Sequence, residues 1–278
     1  MVRRPLGNHH LRPDTLLVTS EMTKQTVPVA EETESSRKST DQGDARESGT
    51  LADLIASARH VLFDFDGPIC RLFAGRPAAG IAREQVEWLD AQGLGDVLTD
   101  EERADADPHA ALRLLGRARP DTDLVEEMES RLTEQELRAV ASAWPTEHAD
   151  PLIRTWTAVG TRLAITTNNS AEAARRYIAG RGLSGCFEPH IYGRTKDLSR
   201  LKPDPYCLHR AMSAMGAAPG TTLMIGDAAT DLVAARRAGV AFLGYARNDR
   251  KEAVLREAGA RQVTATLEPI IDILRGRA

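Results

Sequence analysis

Cysteine, lysine and aromatic residues are all scarce in this chain of 278 residues. Its three cysteines, Cys70, Cys186 and Cys207, are too few and too scattered for a disulfide framework or a zinc site, and they fit a reduced, cytoplasmic setting. Phe, Trp and Tyr together make up 4%, so any core must be built from Leu, Val, Ile and Ala. A basic excess is absent too: the net charge is −4, and nothing resembles the electrostatic footprint of a nucleic-acid binder. No apolar run approaches the ~18 residues of a membrane span. Leu16-Leu17-Val18 is too short for the core of a signal peptide. Of the basic residues 31 are Arg and only 5 are Lys, which makes each lysine a rare choice.

What is present is globular. Hydrophobic residues reach 42% and charged residues 27%, near the average for folded domains, and the length allows one large domain or two small ones. Residues 1–50 differ from the rest. Between Glu31 and Thr50 the only aliphatic side chain is Ala45, too little apolar surface to offset the entropy of ordering, so a disordered tail is expected. Met22 is a second possible start, which would remove residues 1–21.

From Leu51 onward the pattern predicts an α/β fold. A helix begins at Leu51, and His60–Phe65 forms a short buried strand ended by Asp66-Gly67-Pro68. Residues 71–150 carry helical periodicity only, with a Pro-led start at Asp107-Pro108 and a capping box at Thr133-Glu134-Gln135-Glu136. Strands and helices then alternate: strands at 162–166, 190–192, 222–225 and 240–243, and helices at 171–179, 205–215, 228–238, 249–258 and 267–275. Alternation of this kind implies a Rossmann-like parallel sheet covered on both faces. The expected division is a core of residues 51–70 and 151–278, interrupted by a helical insertion over 71–150. Ligands of such sheets bind beyond the carboxyl ends of the strands, where the insertion would cover them.

Four polar features fall at those carboxyl ends. Asp64 and Asp66 follow the first strand two residues apart, so an extended backbone aims both the same way. One could attack a substrate or hold a cation while the other handles a proton, although Asp-Gly alone also reads as a solvated turn. Thr166-Thr167-Asn168-Asn169-Ser170 combines hydroxyls with the free N–H groups of a helix start, an arrangement suited to an anion or to an ordinary Ser cap. Lys202 stands between Leu201 and Pro203, and alone reads as a surface lysine before a Pro-led helix. Asp227 and Asp231 are four residues apart and share a helix face if both are helical, and like charges that close are unfavourable unless a cation or a Lys lies between them. An oxygen-rich cluster suits Mg²⁺. Together these features describe a divalent metal, a phosphate cradle and a carboxylate nucleophile, the parts that phosphoryl transfer requires.

In their order and spacing, Asp64-Phe65-Asp66-Gly67, Thr167-Asn168, Lys202-Pro203 and Gly226-Asp227 with Asp231 resemble the four motifs of the haloacid dehalogenase-like hydrolase superfamily. The position of the insertion resembles its helical-cap members, among them the phosphoglycolate phosphatase-like enzymes. The resemblance implies that Asp64 attacks phosphorus and that Asp66 protonates the leaving alcohol and then activates water. It implies that Thr167, Asn168 and Lys202 hold the phosphate, and that Mg²⁺ sits on Asp64, the Asp66 carbonyl and Asp227, with Asp231 behind them. The substrate would be a small phosphorylated metabolite. A sugar phosphomutase and a catalytically silent binder are the alternative readings. The absence of Lys from residues 71–150 argues against Schiff-base phosphonate cleavage. Departures occur where the family has Thr-Leu after the glycine and this chain has Pro68-Ile69, and where an acidic residue is replaced by Arg71. Arg71 is a candidate contact for an anionic substrate. Arg76, Arg83, Glu87 and Trp88 are the candidate specificity residues of the insertion.

Overall fold

The computed structural model describes residues 49–276. All but the last two residues of the expected tail lie outside that range. Thr50 within it is the N-cap of the helix Leu51–Ser57, in a reciprocal pairing with Asp53.

Strands β1 (His60–Phe63), β4 (Arg162–Thr166), β5 (Ile191–Tyr192), β6 (Thr222–Gly226), β7 (Ala241–Tyr245) and β8 (Val263–Thr264) form one parallel sheet. Their order is β5-β4-β1-β6-β7-β8. The chain runs outward from β1 to β5, then crosses back to fill the other half. The sheet therefore reverses direction of growth at β1, where a crevice opens beyond the strand ends. Register places Phe63 beside both Ile165 and Ile225, so the segments after β4, β1 and β6 emerge side by side.

Alternate residues of each strand feed two separate cores. Val61, Phe63, Ile165 and Ile225 pack under helices Leu51–Ser57, Ala149–Ala158 and Glu268–Leu274, whereas Leu62, Ala164, Met224 and Phe242 pack under Tyr206–Met215 and Ala229–Arg237. Near-continuous apolar strands follow from burial on both faces. Phe63 meets Trp156 and Phe187 edge-on at centroid distances of 5.7 and 6.2 Å. Few aromatics are present, and these are spent on the centre of the core.

Between β1 and β4 the helices Ala78–Ala91, Asp100–Arg103, Ala110–Ala118 and Asp123–Val140 enclose a third apolar cluster of their own, including Ile81, Leu89, Leu112, Leu115, Met128 and Leu132. Two short antiparallel strands, β2 (Cys70–Arg71) and β3 (Trp144–Pro145), tie the two ends of this insertion together. No described helix is long and apolar enough to cross a membrane.

Several local expectations are corrected. β1 ends at Phe63 rather than Phe65: Asp64 N–H still donates to Ile225 O at 2.8 Å, but Phe65 O turns to accept from Cys70 N–H. Thr133 starts no helix. The stripe Val125, Met128, Leu132, Gln135, Glu136 and Ala139 keeps one face buried from Asp123 to Val140, so the helix runs through, and the Thr133 hydroxyl donates to Glu129 instead. The helix expected at Asp107-Pro108 begins at Ala110, because Asp107 accepts the His109 N–H and holds that turn open. β2, β3 and β8 were unexpected, being two residues each and carrying no periodicity.

Candidate active site

Asp64 leaves the middle strand and enters a cavity of about 490 Å³ beyond the sheet, lined also by Asp66, Thr167, Asn168, Lys202, Asp227 and Asp231. All four sequence features therefore converge. Arg71 does not line this cavity. It lies exposed with its guanidinium 5.2 Å from the Trp144 ring centre, and it borders an adjoining hollow shared with Asp66 and Arg247.

The centre of the site is a buried ion cluster. Lys202 Nζ lies 2.8 Å from Asp64 Oδ1, 2.5 Å from Asp231 Oδ1 and 2.9 Å from Thr166 O. Burial opposes the charge on Lys202, but Asp231 and Asp64 outweigh it and hold the ammonium protonated well above the usual lysine range. The backbone of Lys202 is fixed by Asn168, whose Oδ1 accepts from Lys202 N–H at 2.7 Å and whose Nδ2 donates to Lys202 O at 3.1 Å. Asp231 Oδ2 accepts the N–H groups of Asp227 and Ala228, each at 3.1 Å. This closes the turn that follows β6.

Asp64, Asp227 and Asp231 each bring one carboxylate oxygen within 4.8 Å of the other two. A buried all-oxygen donor set of this kind matches a hard divalent cation such as Mg²⁺. Asp66 stands outside the cluster, with Oδ1 accepting the Leu72 N–H at 2.8 Å. Burial pushes its carboxyl up to about 6, and pushes Asp227 to about 6 and Asp231 to about 7 against the pull of Lys251 and Lys202 respectively. These are protonation ranges suited to proton transfer near neutrality.

The Thr167 hydroxyl is engaged with Asn169, donating to Oδ1 and accepting from N–H, each at 3.1 Å. Ser170 caps the helix Ala171–Gly180 through Glu172 N–H. Among the described groups, the Asn168 N–H donates to none.

Of the insertion's candidate residues, none lines the cavity. Arg83 and Glu87 are exposed, Arg76 pairs with Glu84, and Trp88 is buried within the helical cluster. The cavity wall is instead made by Phe73, Asp107, His109 and Arg113. Sequence reasoning also missed Lys251, whose Nζ lies 2.7 Å from Asp227 Oδ2. The scarcity of lysine was its signal. Glu136 and Arg194, buried together behind Asn169, were missed as well: the spacing of Glu136 read as a capping box, and nothing local marked Arg194.

Residues 58–239 match the family model for haloacid dehalogenase-like hydrolases, and the chain belongs to that family. It is 31% identical over 136 residues to the pyrophosphatase PpaX of Halalkalibacterium halodurans, a stretch covering 48% of this chain and 61% of that protein. It is 34% identical over 113 residues to phosphoglycolate phosphatase of Rhodospirillum rubrum, covering 39% of this chain and 45% of that one. The chain thus aligns with only part of each relative's length. Among solved structures, a haloacid dehalogenase-like family hydrolase from Streptococcus pneumoniae superposes with a TM-score of 0.56 at 17% identity, covering 78% of this chain and 98% of the other. At that identity the likeness speaks for the fold alone.

Proposed function

We propose that this chain is a cytoplasmic phosphatase that hydrolyses a small phosphorylated metabolite through an aspartyl-phosphate on Asp64. The observation that carries the reading is the pairing of Asp64 with Lys202 at 2.8 Å, at the end of the central strand and inside the cavity. The adjacent ammonium screens the attacking Asp64 oxygen from an incoming phosphate dianion. Curated relatives named for pyrophosphate and phosphoglycolate hydrolysis agree with this reading.

An Asp64 carboxylate oxygen bonds to phosphorus as the bond from phosphorus to the leaving oxygen breaks. Asp66, held partly protonated by burial, gives its proton to that oxygen. The alcohol departs, and the resulting Asp66 carboxylate takes a proton from water as the water oxygen bonds to phosphorus. The bond from phosphorus to Asp64 then breaks, releasing inorganic phosphate and restoring both carboxyls. Lys202, the Asn168 N–H and Thr167 would hold the non-bridging oxygens. Mg²⁺ bound by Asp64, Asp227 and the Asp66 carbonyl, with Asp231 behind them, would neutralise charge on the phosphoryl group. The helical insertion over 71–150 acts as a cap, its His109 and Arg113 facing the leaving group. Arg71, with Arg247 across the adjoining hollow, would meet the far end of an anionic leaving group.

Phosphate release from p-nitrophenyl phosphate and a panel of metabolite phosphates, with Mg²⁺ or with EDTA, tests this reading. Turnover that requires Mg²⁺ and disappears in Asp64→Asn is expected. Near wild-type turnover in Asp64→Asn would sink the mechanism.

A further inference from the structure

The Thr167–Ser170 segment is not held in place by the core alone. Glu136, from the insertion helix Asp123–Val140, reaches it with a fully buried carboxylate. Oε2 accepts the Ser170 N–H at 2.8 Å and Oε1 accepts from Asn169 Nδ2 at 3.1 Å. Asn169 in turn bonds the Thr167 hydroxyl. On its other side, Glu136 Oε1 lies 3.3 Å from His109 Nε2, and His109 lines the cavity. A continuous chain of polar contacts thus leaves the cavity wall at His109, passes through Glu136, and returns to the cavity at Thr167.

Arg194 completes it. Its side chain is fully buried, and its three nitrogens all donate. Nη1 reaches Glu136 Oε1 at 2.9 Å and Asn168 O at 3.1 Å, Nη2 reaches Glu136 Oε2 at 3.2 Å and the Thr133 hydroxyl at 2.8 Å, and Nε reaches Glu129 at 3.0 Å. Its backbone N–H donates to Asn169 O at 2.9 Å. Gly193 permits this approach, since a Cβ there would strike Ala171 N and Asn169 O. Burial works against the Glu136 charge, yet Arg194 and His109 keep it ionised well below the usual glutamate range. A buried, fully bonded ion pair is a poor source of net stability, but it fixes geometry. Here the geometry fixed is that of the backbone at Asn168 to Ser170, next to Thr167 in the cavity wall.

We infer that Glu136 and Arg194 are positioning residues that set the phosphate-holding segment Thr167–Ser170 from the insertion side, so that phosphate affinity and turnover depend on contacts lying outside the cavity. This rests on the phosphatase reading above. A guanidinium suits this place because Arg194 serves five acceptors at once, on Glu129, Thr133, Glu136 and Asn168, more than the three donors of a single ammonium can reach.

The test compares Glu136→Gln, Arg194→Lys and the charge-balanced pair Glu136→Gln/Arg194→Gln with Glu129→Gln and Thr133→Val. The last two loosen Arg194 from the insertion without touching the segment. Inhibition by inorganic phosphate, kcat and KM are measured on the Mg²⁺-loaded protein after folding is checked by circular dichroism. Misplacement of the segment predicts kcat/KM lowered roughly 10- to 100-fold and phosphate inhibition weakened in parallel in the first set. Arg194→Lys should give no rescue, and Glu129→Gln and Thr133→Val should stay near wild type. If Glu136→Gln does not fold, the charge-balanced pair, which removes both charges of the buried Glu136–Arg194 contact, supplies the measurement. Wild-type kcat/KM and phosphate inhibition in folded Arg194→Lys or in the charge-balanced pair would overturn the inference while leaving the phosphatase reading intact. A wild-type protein that neither hydrolyses the panel nor binds phosphate would overturn both.

Discussion

Gly67 sits directly against the carboxylate of Asp227, with no space between them for a Cβ. Its φ of +125° is one that side-chain-bearing residues rarely adopt, at a cost of about 1–3 kcal/mol. Two independent constraints therefore require glycine where the chain turns away from Asp64 and Asp66. Gly67→Ala should push the Asp227 carboxylate out of the three-aspartate cluster. The expected outcome is a lowered melting temperature and a Mg²⁺ requirement for half-maximal activity raised at least tenfold. Titrating activity against Mg²⁺ checks this, and an unchanged midpoint would mean that Asp227 takes no part in holding the ion.

Lys202 is enclosed by Asp64, Asp231 and the Thr166 carbonyl. Lys202→Met keeps the apolar stem and removes only the charge, leaving two buried carboxylates facing each other. Losing one member of a buried ion cluster costs about 3–5 kcal/mol. Urea unfolding of the metal-free protein at pH 7 should show a loss of that order, and phosphatase activity should vanish. A surface lysine would give a change within about 0.5 kcal/mol, so a result that small would refute the enclosed geometry.

Burial raises Asp66 and Asp227 to about 6 and Asp231 to about 7. In each case the folded form holds a proton that the unfolded chain gives up near pH 4. The stability tied to that proton is fully present below pH 4 and is lost as pH rises through about 6 to 7. Metal-free protein should accordingly melt lower at pH 7.5 than at pH 5, a trend to which His109, whose partners Asp107 and Glu136 raise it despite burial, adds in the same direction. Mg²⁺ held at Asp227, with Asp231 behind it, would take the place of the protons on those two carboxylates, so its stabilisation by mass action should be larger at pH 7.5. Melting curves with EDTA or Mg²⁺ at the two pH values check the difference. Equal Mg²⁺ shifts at both would indicate that these carboxylates are not its ligands.

The chemistry of this fold was legible because it is concentrated at strand ends. A polar residue closing an apolar run is conspicuous, and Asp64, Thr167 and Asp227 were found that way. The long-range partners were not. Glu136 has the spacing of a capping box with Thr133, and only the unbroken helix Asp123–Val140 shows that its carboxylate turns inward to Arg194, far along the chain. Arg194 itself is one of 31 arginines, and nothing local marks it as buried. Lys251 could have been found from the scarcity of its type. β8 and the β2–β3 pair are too short for any period to register, and they exist because neighbouring strands supply their hydrogen bonds.

The insertion residues that line the cavity are not the ones its sequence singled out. Arg83 and Glu87 are solvated, and Trp88 is buried among Leu89, Leu112 and Met128 in the insertion's own cluster. Arg113, anchored by Asp107 at 2.8 Å, lines the cavity. Arg83→Ala and Glu87→Ala should leave kcat/KM within about twofold. Trp88→Ala should cost about 3–5 kcal/mol of stability through the cavity it opens, with little change in KM for the molecules that remain folded. Arg113→Ala should raise KM for substrates with an anionic leaving group about tenfold or more, the loss expected for one charge-assisted hydrogen bond, and leave KM for p-nitrophenyl phosphate, whose leaving group carries no carboxylate or phosphate, nearly unchanged. Steady-state kinetics on two or three panel substrates distinguishes these cases. An equal effect of Arg113→Ala on every substrate would place Arg113 outside the leaving-group contacts and return it to a structural role beside Asp107.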